Sequence, residues 1–136
     1  MADTTLFRKA IRSAVAEAAD IPDVLDRWVD APVMDAAAVC AAPGGWVPNA
    51  ENRFFRMYSF TVRILLPKDP TVGPIEDDRG DALEEVAEAV LAALPQSPNV
   101  GGSTGWIYYV DEVTFDMDRV SVDFSFSVEL QNDGEF

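Results

Sequence analysis

The chain has 136 residues, of which 49% are hydrophobic, and a formal net charge of −14 at pH 7. This length predicts one domain, and this apolar fraction supports a packed core and excludes global disorder. The negative charge disfavours nonspecific binding to nucleic acid and to anionic lipid. The chain has no histidine and one cysteine, which excludes the commonest general base, an internal disulfide and a cysteine zinc cluster.

The first predicted element is an amphipathic helix over residues 5–19. Its apolar residues recur at helical spacing and are Leu6, Ala10, Ile11, Ala14, Val15 and Ala18. Arg8, Lys9 and Arg12 are assigned to its outer face, where they form the most basic cluster of the chain. A solvated helix face is the simplest interpretation of this cluster, and a docking patch for an acidic neighbour is the alternative.

Shorter elements are predicted between residues 20 and 66. Residues 24–29 read as a short strand, and residues 36–42 as a strand or a short helix. The strand is favoured because Pro43-Gly44-Gly45 follows as a turn. Residues 46–52 are then a loop, and residues 54–66 a long strand. The strand face that receives a helix is formed by Tyr58, Phe60, Val62 and Ile64.

The strongest helical pattern covers residues 75–94 and is expected to organise the fold. Its apolar stripe consists of Leu83, Val86, Ala87, Val90, Leu91 and Leu94. Asp77, Asp78 and Asp81 fall in the first turns, where the helix dipole stabilises carboxylates. This explains the acidic cluster better than a metal site, because the ligand spacing of a calcium-binding hand is absent.

The last third of the chain predicts a loop and a hairpin. Residues 96–105 are expected to form a flexible loop, and residues 106–115 and 119–130 two strands whose short connection favours an antiparallel hairpin. Residues 131–136 form a polar tail. Residues 1–136 are therefore expected to be one α+β domain, in which an antiparallel or mixed sheet of about four to five strands packs against two helices.

Basic and aromatic residues outside the predicted core are the candidate contact groups. Residues 53–58 interleave arginines and aromatics, as strands that stack nucleic-acid bases do. The overall charge opposes that function, so a plain strand start is the simplest interpretation and a protein-contact patch the alternative. The candidate interface residues are Arg8, Lys9, Arg12, Trp46, Phe55, Arg56 and Trp106.

No set of residues defines an active site. Carboxylate pairs such as Asp111-Glu112 are expected in so acidic a chain, and nothing marks one of them as desolvated. Cys40 is interpreted as a small, buried apolar thiol. We expect no enzyme activity, no metal and no cofactor. We also expect no signal peptide and no membrane association, because no apolar run approaches the roughly 20 residues of a membrane span.

The order of elements carries a resemblance. An amphipathic helix begins the chain, and a small apolar segment leads to Pro43-Gly44-Gly45-Trp46. The long strand 58–65 precedes the acidic helix 77–94, and a final strand, 120–130, follows the glycines at 101 and 102. With these features the chain resembles the tail terminator, or tail completion, proteins of long-tailed bacteriophages over nearly its whole length.

The resemblance implies a structural virion protein with an α+β fold. Identical subunits would assemble into a ring, usually a hexamer, that caps the tail tube and joins it to the head connector. The implied partners are the major tail tube protein and the head-closure or connector protein, and the implied location is the neck of the virion, with the host cytoplasm during assembly. DNA would pass through the lumen without specific binding, and no enzyme activity or cofactor is implied. The alternatives are another neck component, such as a head-closure or stopper protein, and a stand-alone α+β module that binds a protein or a small ligand.

Overall fold

A computed structural model of the chain describes residues 2–30, 36–48, 55–67, 76–94, 108–116 and 120–131. Its elements, in chain order, are α1 (Ala2–Ala18), β1 (Ala38–Pro48), β2 (Phe55–Leu65), α2 (Glu76–Ala93), β3 (Tyr108–Asp116) and β4 (Ser121–Gln131). The strands form a four-stranded antiparallel sheet in the order β1-β2-β4-β3. The expected α+β arrangement of a sheet with two helices is confirmed.

The two central strands, β2 and β4, are paired along their full lengths, from Phe55 opposite Gln131 to Leu65 opposite Ser121. β4 alternates polar and apolar residues from Ser121 to Glu129, and β2 does so from Tyr58 to Ile64, so the centre of the sheet has one apolar and one polar face. The predicted hairpin of β3 and β4 is confirmed, since these strands are antiparallel neighbours. In the described sheet, β1 and β3 are therefore the two outer strands.

Both helices cover the apolar face of the sheet. The ring of Phe7 in α1 packs edge-on against Phe60, with centroids 5.9 Å apart, and Phe60 stacks on Phe126 at 5.2 Å. Leu83 and Val90 of α2 are fully buried in the same cluster. Burying a large aliphatic or aromatic side chain stabilises the fold by roughly 1.5–3 kcal/mol. The helix face predicted from residues 75–94 therefore reaches the core, with one exception.

The exception is Leu91, which was expected in the core and is 43% exposed. It lies at one margin of the apolar stripe, whereas Leu83, Ala87 and Val90 lie along its centre. The stripe predicted for α1 is similarly off-centre. Phe7 was not part of it, yet this side chain is fully buried, because it lies four residues before Ile11 on the same side of the helix.

The helix α1 ends in a glycine-free C-terminal cap. Asp20 takes a left-handed conformation with φ of 57°. The amide of Ile21 donates to the carbonyl of Ala16, and the amide of Asp20 donates to that of Glu17, at 2.9 and 3.1 Å. This pair of bonds is the Schellman arrangement, and it turns the chain towards β1.

The short strand predicted over residues 24–29 is wrong. Val24 makes one isolated parallel bridge to Val39, in which the amide of Leu25 donates to the Val39 carbonyl and the amide of Val39 donates to the Asp23 carbonyl. Beyond this bridge the segment leaves the edge of β1, because Trp28 and Val29 contact Arg63 on the polar face of the sheet.

The turn predicted at Pro43-Gly44-Gly45 is also wrong, as is the loop assignment of residues 46–48. Residues 36–42 contribute a strand, as favoured, but β1 continues to Pro48 through a shift of register between Pro43 and Gly45. Gly45 has φ of +92°, and a Cβ on Gly44 would lie 3.2 Å from the carbonyl oxygen of Ser59. An outer strand tolerates proline and a glycine bulge, since only one of its edges is paired to a neighbouring strand here.

Several predictions concern residues outside the described ranges. The loop at 96–105, Trp106, residues 49–52 and the tail at 132–136 lie outside the described residues, while Gln131 belongs to β4.

Candidate functional site on the outer strands

Large hydrophobic side chains that remain exposed in the described part of the chain concentrate on the outer strands. They are Trp46 and Val47 of β1, Tyr109, Val110 and Phe115 of β3, and Leu91 of α2. Scattered exposed apolar residues are normal, but a concentration along sheet edges indicates a contact surface. We call residues 46–48 with Arg56 and Tyr58 the β1 patch, and residues 109–115 with Leu91 the β3 patch.

The β1 patch is built on a cation–π cluster. Trp46 lies opposite Tyr58 in the register of β1 and β2, so both rings project from the same face. The guanidinium carbon of Arg56 lies 4.6 Å from the ring centroid of Trp46 and 5.7 Å from that of Tyr58. Such contacts hold the ring of Trp46 in place although it is 50% exposed. Aromatic residues and arginine are the types enriched in protein interfaces.

The β3 patch borders an open groove between the end of α2 and the outer strand. The groove has a volume of about 280 Å³, and the described residues that line it are Leu91, Leu94, Tyr108 and Val110. Tyr108 forms a fixed floor, because its ring packs against Phe7 and Phe126 with centroid distances of 6.0 Å. Burial raises the pKa of the Tyr108 phenol, so the groove holds no charge from that group.

Carboxylates lie along the same outer strand. Asp111 sits where the register of β3 shifts, and its Oδ1 accepts a hydrogen bond from Ser127 Oγ at 3.1 Å. Glu112 is exposed, and its Oε1 accepts from Thr114 Oγ1 at 3.3 Å. The β3 patch is thus apolar and acidic, whereas the β1 patch is aromatic and basic.

A second polar cluster lies on the polar face, at the centre of the sheet. Arg63 donates from Nε and Nη2 to the two carboxylate oxygens of Asp123, at 2.7 and 2.9 Å. Its Nη1 donates to the carbonyl of Val29 at 2.9 Å and to Asp30 at 3.3 Å. The ring of Trp28 lies 4.0 Å from the guanidinium carbon. Hydrogen-bond acceptors thus surround the edge of the guanidinium, and the ring of Trp28 covers one of its faces. These contacts fasten residues 28–30 to the sheet.

The three basic residues of α1 differ in exposure. Lys9 is exposed and Arg8 is partly buried. The side chain of Arg12 is only 12% exposed: Nη1 donates to the carbonyl of Leu25 at 3.1 Å and lies 3.4 Å from Asp26. The outer-face assignment of Arg12 is therefore wrong, because its guanidinium lies against Leu25 and Asp26 in the segment that follows α1. A docking function for Arg8, Lys9 and Arg12 stays a prediction.

The other candidate residues are distributed as follows. The structure brings Trp46 and Arg56 into direct contact, as the β1 patch requires. Phe55 is partly buried and opposite Gln131, on the strand next to Arg56 but on the other face. Trp106 lies outside the described residues. Cys40 is fully buried, as expected.

Tyr109, Val110 and Phe115 lie outside the set predicted from the sequence. A signal for Tyr109 exists in the run Tyr108-Tyr109-Val110. Successive residues of a strand point to opposite faces, so consecutive apolar residues place apolar side chains on both faces. Where only one face is covered by helices, some of them remain exposed.

Two further features of the described ranges concern metal ligation and membrane crossing. Within those ranges, His, Cys, Asp and Glu form no group of three or more that could hold a metal ion. The side chains of Asp77 and Asp78 are not among those described. Neither of the two helices has the length and apolar character needed to cross a membrane.

Comparison of the sequence with protein-family models and with curated proteins gives no match.

Proposed function

We propose that this chain is a structural subunit of a bacteriophage tail, which forms a ring that caps the tail tube and joins it to the head connector. The observation that supports this most is the pair of unlike contact patches on opposite edges of one sheet. The β1 patch presents Trp46 and Arg56, and the β3 patch presents Val110 beside exposed Glu112. Two different patches on one subunit suit a head-to-tail contact, which closes into a ring when the rotation per subunit divides a full turn.

The charge of the chain supports passage of DNA through such a ring. The polar face of the sheet presents hydroxyls and carboxylates, namely Ser59, Thr61, Ser125, Glu112 and Glu129. Arg63, a cation on that face, is held by Asp123 and is 6% exposed. A lumen lined in this way repels phosphates, so DNA would pass without being held.

The α2–β3 groove supports one second candidate, a stand-alone module that binds an apolar side chain of another protein. Such a module would use the β3 patch and leave the β1 patch exposed. The ring uses both patches, and for this reason we favour it.

The test is electron microscopy of the purified protein mixed with tail tubes assembled from the tube protein of the same genome. We expect a closed ring around the tail axis at one end of each tube, with six subunits by analogy with the family that the chain resembles. A monomer in the absence of tubes is compatible with this, because a tube end can template assembly. Binding along the tube wall, or no binding to tubes, would contradict the proposal. A monomer that remains monomeric on tubes and captures another protein through the groove would favour the stand-alone module.

A further inference from the structure

We infer that the β1 patch of one copy docks on the β3 patch of a second copy, with the indole of Trp46 seated in the groove lined by Leu91, Leu94, Tyr108 and Val110. This inference rests on the proposed ring and deepens it, since it assigns the two surfaces that meet. The occupant of the groove is a second copy of this chain.

Strand direction permits this contact. β1 is antiparallel to β2, β2 to β4, and β4 to β3, so β1 and β3 run in opposite directions. A rotation about an axis parallel to the strands preserves strand direction. The β1 of the next copy would therefore run antiparallel to β3 of the first and extend the sheet without reversing it.

The side chains of the two edges also lie on the same face of the sheet that the two copies would share. Trp46 lies opposite Tyr58, and Val110 lies opposite Phe126, so both project from the face that the helices cover. Continuing the sheet from β3 to β1 of the next copy keeps that face on one side. Trp46 would then lie over the groove beside Val110, and a groove of about 280 Å³ offers room for one indole ring. A large aromatic side chain buried in a neighbour's pocket is the usual form of an interface anchor.

Charge repulsion disfavours a contact between two β3 edges. Two β3 patches brought together would oppose Asp111 and Glu112 of one copy to the same residues of the other, in a chain of net charge −14. Docking the β1 patch on the β3 patch avoids this opposition, because Val47 of β1, which lies on the same face of the sheet as Glu112, is uncharged. Like-charge juxtaposition disfavours the wrong partner.

Disulfide trapping between copies tests the contact. In a Cys40→Ala background, Val47→Cys places a thiol on β1 and Tyr109→Cys places one on β3, both on the face opposite the helices and outside the groove. The two proteins, tagged to differ in mass, are mixed at high concentration and oxidised mildly. We expect the mixed β1–β3 disulfide to exceed both homodisulfides. The matched control is Glu84→Cys, an exposed position on α2.

Two groove variants test the seat of Trp46. Trp46→Ala empties the groove and Leu91→Asp places a charge in it, and each should lower the yield of the mixed disulfide roughly tenfold or more, as loss of an interface anchor does. Both residues are exposed in the single chain, so circular dichroism melting should stay near that of the parent. An unchanged yield in both variants would overturn the assignment of the groove.

The remaining outcomes are equally decisive. A dominant disulfide between two Val47→Cys copies, or between two Tyr109→Cys copies, indicates a two-fold contact of like edges and overturns the inference. A yield of the mixed disulfide no greater than the disulfide yield of the Glu84→Cys control also overturns it. A mixed disulfide in a protein that never seats on tail tubes supports this contact and contradicts the ring. A ring on tubes in which the mixed disulfide does not form contradicts this contact alone.

Discussion

Arg63 and Asp123 lie directly opposite each other on the two central strands and share two hydrogen bonds, Nε to Oδ1 at 2.7 Å and Nη2 to Oδ2 at 2.9 Å. The hydrogen bond to Asp123 raises the pKa of the Arg63 guanidinium further, because it stabilises the charged form. The same guanidinium contacts Trp28 and the Val29 carbonyl. The pair therefore joins β2 to β4 and also fastens the segment that follows α1.

Removing one partner of this pair should destabilise the fold strongly. Asp123→Ala leaves Arg63, which is 6% exposed, without its principal counter-charge. We expect the free energy of unfolding in urea to fall by about 3 kcal/mol, as it does when a buried pair is broken. The matched control is Asp26→Ala, which removes the partner of Arg12 at a side chain that is 90% exposed. The control should change stability by less than about 0.5 kcal/mol. Equal losses in the two variants would show that the Arg63 pair is no stronger than a surface contact.

Neighbouring positions on α2 should respond oppositely to the same substitution. Val90 is fully buried against the sheet, whereas Leu91 is 43% exposed. Val90→Asp places an unpaired carboxylate in the core and should unfold the domain. Leu91→Asp should melt close to the parent. Thermal melting followed by circular dichroism distinguishes the two, and a folded Val90→Asp variant would mean that α2 does not pack on the sheet as described.

The elements of the sheet with strict alternation could be predicted from the sequence, because their pattern is local. Phe60 and Val62 were placed correctly on the helix-facing side, and β4 was recognised from its period of two. Pro43 and Gly45 were assigned to a turn because these residue types usually form one. They lie in a bulged outer strand instead, and the position of a strand within a sheet is not a local property of the sequence.

The candidate site was only partly predictable for the same reason. The chemistry of Trp46 and of Arg56 marks each as a candidate on its own, but their contact depends on the register of β1 against β2. The pairing of Arg63 with Asp123 joins residues 60 positions apart. Neither the charge nor the spacing of these residues indicates that they meet. The exposed residues of β3 became apparent only from the place of that strand at the edge.

Stability should fall at alkaline pH partly because of Cys40. Burial raises the pKa of its thiol above the ordinary value of 9.0. As pH rises past that value, the unfolded state loses the thiol proton first, so the contribution is present below about pH 9 and is lost towards the folded-state pKa. Tyr108, whose pKa is raised from 10.0, acts in the same direction at higher pH. Urea unfolding between about pH 8 and 9.5 should show a smaller decline for Cys40→Ala than for the parent. Parallel declines in the two proteins would contradict this origin.

The chain should bind duplex DNA weakly even though it carries arginines on its strands. Phosphate contacts require local positive charge that exceeds the repulsion of a net charge of −14. Arg63 is held by Asp123, and Arg56 lies over the ring of Trp46. By fluorescence anisotropy in about 0.15 M salt, we expect a dissociation constant above the micromolar range. As the matched comparison, Glu112→Lys with Glu129→Lys places two cations on the polar face and should strengthen binding and steepen its salt dependence. Sub-micromolar affinity of the parent would be incompatible with a lumen through which DNA slides freely.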